Sequence, residues 1–135
     1  MKEITVDATL ENVGIVTAFV DELLEQYSCP MRAQCQIDVA IDELFSNVAR
    51  YAYNPDTGPV SVSVEVEQSP LQVVITFADG GVPYDPTSHE DPDVTAGIEE
   101  RAVGGLGILL VKNTMDEVIY EHKDGKNILR IRKEM

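Results

Sequence analysis

Asp42-Glu43-Leu44-Phe45-Ser46-Asn47-Val48-Ala49-Arg50-Tyr51-Ala52-Tyr53 is the stretch whose placement organises the rest of the chain. Together with the residues before it, from about Arg32, it predicts one long helix. Ile37, Ala40, Ile41, Leu44, Val48 and Tyr51 recur at three- and four-residue steps and make a single apolar stripe. Glu43 and Asn47 stand one turn apart beside that stripe, at the border of the future core. A carboxylate and an amide so placed can hold Mg²⁺ through oxygen and orient a hydroxyl or water for attack. Solvated Glu-x-x-x-Asn pairs are common on helices, so this pair acquires meaning only from its surroundings.

Before it, Glu3 to Asp7 reads as a short strand. Leu10, Val13, Val16, Val20, Leu23, Leu24 and Tyr27 then mark an amphipathic helix from about Thr9 to Tyr27, and Pro30 a break and restart. After it, Asn54-Pro55-Asp56-Thr57-Gly58-Pro59 is dense turn chemistry. Val60, Val62, Val64 and Val66 alternate with Ser61, Ser63, Glu65 and Glu67, the period of a strand with one buried face. Leu71 to Ala78 is apolar on both sides, as in a more central strand. A long loop from Gly80 to Gly104 follows, with a short helix expected near Ala96 to Arg101; loops of that length usually have a function. A third helix opens at Gly104-Gly105-Leu106-Gly107, and two last strands, Glu117 to His122 and Lys126 to Arg132, are joined at the hairpin signal Lys123-Asp124-Gly125. This order predicts an α+β two-layer sandwich, a mixed but mostly antiparallel sheet covered on one face by helices.

Two further signals lie outside the helix pair. Asp79 ends the apolar strand and precedes Gly80-Gly81, so its carboxylate can project into a pocket while the glycines let a ligand ring approach the backbone. A carboxylate there suits an exocyclic amine such as that of adenine and disfavours a base with a carbonyl at that point. Gly104, Gly105 and Gly107 stand at a helix start, where free amides and the helix dipole favour phosphate. No Gly-Lys-Ser/Thr follows, and no strand leads in, so neither a Walker loop nor a dinucleotide fingerprint is present. Asp-Gly turns and packing glycines are common individually; the order of the three signals makes them specific.

The whole chain bounds these readings. Its 135 residues fit a single domain over 1–135, and no apolar run approaches the length of a membrane span. The amino-terminal residues turn polar by Asp7, without the apolar core of a secretory signal, so the expected compartment is the cytoplasm. Cys29 and Cys35 match neither a redox pair nor a zinc knuckle. The net charge of −14 argues against direct nucleic-acid binding and for a basic partner surface. It also makes nucleotide binding dependent on Mg²⁺ to offset phosphate charge, with Arg101 or Lys112 as helpers.

A helix with Glu-x-x-x-Asn, two strands, Asp-x-Gly, a long loop and Gly-x-Gly at a helix start resemble, in that order, the anti-sigma-factor serine/threonine kinases. They form a branch of the histidine-kinase-like ATPase superfamily, and the likeness extends from about Leu10 to Arg132. The resemblance implies the Bergerat ATP-binding fold. It implies Asn47 as magnesium ligand, Glu43 as general base, and Asp79 and Gly81 at the adenine. It further implies Gly104, Gly105 and Gly107 over the phosphates, an ATP lid at about 82–103, and Arg101 as the nearest candidate for an arginine at the γ-phosphate. The implied activity is transfer of the γ-phosphoryl of Mg-ATP to a serine of an anti-sigma antagonist protein, with a sigma factor as a second partner and a homodimer as the working unit. A non-catalytic, ATP-dependent module that sequesters a regulator is the alternative. A histidine autokinase is disfavoured, since His89 and His122 lack the setting of a phosphoacceptor in a dimerising helix pair.

Overall fold

The computed structural model describes residues 1–88 and 105–135. In chain order the elements are strand β1 (Lys2–Asp7), helices α1 (Val13–Gln26) and α2 (Met31–Asn47), strands β2 (Pro59–Glu67) and β3 (Gln72–Asp79), helix α3 (Gly105–Thr114), and strands β4 (Glu117–Lys123) and β5 (Lys126–Glu134). The strands form one sheet in the order β1-β2-β3-β5-β4, and each of its four pairings is antiparallel. The sheet is thus wholly antiparallel in its pairings where a mixed one was expected. Short turns join β2 to β3 and β4 to β5, and short turns permit only that direction.

Register explains the core. Val64, Ile75 and Ile131 form one row across β2, β3 and β5, and Val62, Phe77 and Leu129 form the next. All six are buried, beneath Val16, Val20 and Leu24 of α1, Ile37, Ile41, Leu44 and Phe45 of α2, and Val111 of α3. Burying each such side chain is worth about 1.5–3 kcal/mol. Helix α2 packs against both α1 and α3, so its stripe lies over the middle of the sheet. The opposite sheet face has no covering layer among the described residues. On β3, Gln72, Val74, Thr76 and Ala78 are accordingly only half-buried, although the strand is central as its composition suggested.

Two local departures from the expected helices are informative. Leu10–Asn12 is a 3-10 turn that precedes α1, anchored where the Asn12 side-chain amide donates to the Asp7 carbonyl at 2.8 Å. The helix expected to reach Tyr53 ends as an α-helix at Asn47 and widens into a π turn over Val48–Ala52. Such a widened turn often accompanies a functional site because it re-aims the side chains on either side of it.

At the seam between α1 and α2, Asp21 and Asp38 face each other, and among the described residues the buried Oδ1 of each has no partner but the facing carboxyl. Burial, a hydrogen bond to Asp21 and the Asp21 charge together push the Asp38 carboxyl up to about 7. Two ionised carboxylates have no proton to share, so the seam is satisfied only when one of them is protonated.

Candidate functional site

The third row of the buried sheet face breaks the apolar pattern. It aligns Val60 of β2, Asp79 of β3, Asn127 of β5 and His122 of β4. Asp79 and Asn127 are 6% and 5% exposed, and above them lies the C-terminal end of α2, where Asn47 is also 5% exposed. The space between is a cavity of about 370 Å³ including its open mouth, lined by Asn47, Asp79 and Asn127 with Leu44, Val48, Ala52, Phe77, Tyr84, Pro86, Tyr120 and Leu129. Pockets for small ligands have this kind of lining, a mainly apolar wall with a few convergent polar groups. Asn47 and Asp79, distant in sequence, therefore open onto one hollow.

The loop after β3 is held by hydrogen bonds. Asp79 Oδ1 accepts from Gly81 N–H at 2.9 Å and from Asn127 Nδ2 at 3.0 Å. Val82 N–H donates to the Ala52 carbonyl at 2.8 Å, and the Tyr53 hydroxyl accepts from Gly80 N–H at 2.8 Å while donating to the Pro59 carbonyl at 2.6 Å. Gly81 lies so close to the π turn after α2 that a Cβ there would run into the backbone carbonyl of Ala52. The glycine is needed for close approach, so that Val82 can reach its partner. Further along, Asp85 Oδ1 accepts from the N–H and hydroxyl of Thr87, at 2.8 and 2.6 Å, and shapes the 3-10 turn Pro86–Ser88. Tyr51 and Tyr84 stack with ring centroids 5.1 Å apart, and burial raises the Tyr84 hydroxyl's pKa, with the Tyr51, Glu43 and Asp85 charges adding to the effect.

Glu43 sits one turn before Asn47 and faces α3. A Cβ on Gly107 would collide with its carboxylate, so the first turn of α3 and this acid are in direct contact. Glu43 Oε1 is buried and has no hydrogen-bond partner among the described residues. Burial raises the pKa of its carboxyl; the Arg50 charge opposes that shift and Asp42 reinforces it. An acceptor left idle in a dry place is costly unless a ligand or substrate proton completes it.

Of the residues singled out from sequence, the structure brings together Asn47 and Asp79 at the cavity, with Gly81 hydrogen-bonded to Asp79, and sets Glu43 against Gly107. Gly105 is the first residue of α3. Arg101 and Gly104 lie outside the described residues, as do residues 89–103 of the expected lid and the helix expected near Ala96 to Arg101. Lys112 is in the last turn of α3, seven residues on from Gly105 and so about 10 Å along the axis from the end where phosphate would bind. Tyr84, Tyr120 and Asn127 were not anticipated. Asn127 had a visible sign: it occupies the inward register of β5 ahead of Leu129 and Ile131, where an apolar residue belongs.

The donors suit a metal that arrives with its ligand. Among the described residues no group of three or more His, Cys, Asp or Glu side chains could hold an ion. Asn47 with the idle oxygen of Glu43 one turn away offers a partial set of hard oxygen donors, which fits Mg²⁺ brought in on phosphates better than a resident ion in a protein cage.

A mainly apolar hollow with a few fixed polar groups is suited to a small ligand, and the comparisons with known proteins give the class of the chain. The sequence profile of the histidine kinase-like ATPase domain matches residues 6–133, and the chain belongs to that family. The serine/threonine-protein kinase BtrW of Bordetella bronchiseptica is 26% identical over 129 residues, 96% of this chain and 89% of that protein. The serine-protein kinase RsbW of Bacillus cereus is 26% identical over 95 residues, and the match covers 67% of this chain and 58% of RsbW, so it spans little more than half of that relative. Among solved structures, the histidine kinase AdeS of Acinetobacter baumannii superposes over the whole chain and 69% of its own, with a TM-score of 0.51 at 14% identity, a likeness of fold. No helix among the described residues is long and apolar enough to cross a membrane.

Proposed function

We propose that this chain binds Mg-ATP in the cavity between α2 and the sheet and transfers the γ-phosphoryl group to a serine of an anti-sigma antagonist protein. The observation that carries the reading is convergence: Asn47 and Asp79 line one hollow, with the idle carboxylate oxygen of Glu43 one turn from Asn47 and against the opening turn of α3. In this reading Asp79 accepts the adenine amine, Gly81 lets the ring close to the backbone, and the glycines around Gly105 admit the phosphates. Mg²⁺, when bound, offsets phosphate charge and aligns the γ-phosphoryl group for in-line transfer. Glu43 takes the proton of the acceptor serine as its oxygen bonds to the γ-phosphorus and ADP leaves. A carboxyl raised by burial is a stronger base than an exposed one, which favours that role.

The kinase reading is supported by the names of BtrW and RsbW, and the sigma-factor partner and a homodimer accompany it as parts of the same proposal. A sequestering module without catalysis would have no use for a buried Glu43 oxygen with no hydrogen-bond partner among the described residues. The test is transfer of labelled phosphate from Mg-ATP to the cognate antagonist. Glu43→Gln is expected to bind Mg-ATP within a few-fold of wild type and to lose transfer by about a hundredfold or more. Transfer at the wild-type rate by that variant would remove Glu43 as base, whereas no transfer by the wild-type protein would leave the sequestering module as the better reading.

A further inference from the structure

Asn127 has every side-chain hydrogen-bonding position filled. Its Nδ2 donates to Asp79 Oδ1 at 3.0 Å and to the Val82 carbonyl at 2.8 Å. Its Oδ1 accepts from Tyr84 N–H at 3.2 Å and from the Tyr120 hydroxyl. An amide offers two N–H donors and two acceptor lone pairs, so nothing is left over. Only one orientation of the amide is possible. Turned over, its oxygen would face the Asp79 carboxylate and the Val82 carbonyl, and its NH₂ would face the Tyr84 N–H.

That fixed amide decides what the cavity presents. Asp79 Oδ1 already receives two N–H groups, from Gly81 and from Asn127, so Oδ2 is the oxygen that remains for a ligand. The Tyr120 hydroxyl spends its proton on Asn127, and its oxygen too is left as an acceptor at the cavity wall. Such a site welcomes the N–H of an amino group and leaves a carbonyl at the same position facing lone pairs.

We propose that Asn127 is the specificity-determining positioning residue of this site: by locking Asp79 and Tyr120 as acceptors it selects a 6-amino purine over a 6-oxo purine. Through Val82 and Tyr84 the same side chain fixes the segment that follows Gly81 to the floor of the base pocket. The inference rests on the nucleotide reading above and adds to it a residue that never touches the phosphates.

The experiment is calorimetric titration of the full chain with Mg-ATP and Mg-GTP at several pH values between 5 and 8, for wild type, Asn127→Asp, Asn127→Leu and Tyr120→Phe. Wild type is expected to prefer ATP by a ratio that does not change with pH, because titration of the shared triphosphate cancels in the ratio. Asn127→Leu frees Asp79 to rotate, and its ATP/GTP ratio falls about tenfold or more. Asn127→Asp puts a second carboxyl at the position of the 3.0 Å contact, where two carboxylates share a proton. Its ATP/GTP ratio becomes pH-dependent, which a merely structural role would not produce. If the Asn127 variants do not fold, Tyr120→Phe decides: it keeps the amide but removes one of its four hydrogen bonds and the second acceptor of the cavity wall, and the ratio falls several-fold. Wild-type ratios and flat pH profiles in the folded variants would overturn the proposal while leaving the nucleotide reading intact. A wild-type protein that binds neither nucleotide would overturn both.

Discussion

Replacing Asp38 by Asn should stabilise the protein at alkaline pH and leave it nearly unchanged in acid. The Asp38 carboxyl is pushed from 3.8 to about 7, first by burial and then by Asp21. The folded state therefore holds this proton more tightly than the unfolded chain does. The resulting stabilisation is complete below the unfolded value of 3.8 and is lost as pH rises through about 7. At about 1.4 kcal/mol per pKa unit the whole shift would correspond to about 4 kcal/mol. The inner oxygens are buried, but the rest of both side chains reaches solvent, and screening there reduces the effect to about 1–2 kcal/mol. Asparagine supplies a permanent donor to Asp21 and carries no charge. Asp38→Asn is then expected to raise Tm by about 3–8 °C at pH 8. The gain should shrink toward zero near pH 4.5. Thermal unfolding followed by circular dichroism at the two pH values measures the difference between variant and wild type, in which the titration of all other groups cancels. An equal effect at both pH values, or destabilisation at pH 8, would refute the shared-proton account of this seam.

Gly107→Ala sets helix propensity against contact. Alanine should favour α3 by about 1 kcal/mol, yet its methyl meets the Glu43 carboxylate. The expected result is near-wild-type melting with phosphotransfer reduced tenfold or more, and unchanged transfer would remove the Glu43–Gly107 contact from the mechanism. Gly81→Ala drives a methyl into the Ala52 carbonyl and strains the Val82 N–H bond, a cost of about 1–3 kcal/mol in urea unfolding together with weaker ATP binding. Phosphotransfer should fall in acid as Glu43 is protonated, with a midpoint above the ordinary carboxylate range because burial raises that group's pKa; a rate profile flat down to pH 4 would contradict the assignment.

Much of the architecture is legible from periodicity because each element buries a face of its own. The alternation of Val60, Val62, Val64 and Val66 specifies both the strand and its inward side, and the stripe from Ile37 to Leu44 specifies how α2 lies on the sheet. Local pattern does not tell which strands flank which, so the uncovered outer face of β3 could not be read from its apolar composition. The π turn at Val48–Ala52 was equally hidden, since it depends on how Ala52 meets Val82 across 30 residues of chain. The site shows the same division. Asn47, Asp79 and the glycines stand out as short motifs with chemistry of their own. Asn127 looks like an ordinary strand residue until the register places it beside Asp79, 48 positions away. A polar residue in the inward register was its only sequence signal. Lys112 stands out by charge alone, and its place in the last turn of α3 is visible only once the helix is built.

The account depends most directly on Asn47 joining a metal to a nucleotide in the hollow that Asp79 floors. Isothermal titration of ATP into wild type and Asn47→Ala, with Mg²⁺ and with chelator, measures this. Wild type should bind tightly only with Mg²⁺, and Asn47→Ala should give the same weak binding whether or not the metal is present. Mg-ATP affinity in Asn47→Ala equal to that of wild type, or wild-type binding indifferent to the metal, would contradict the assignment.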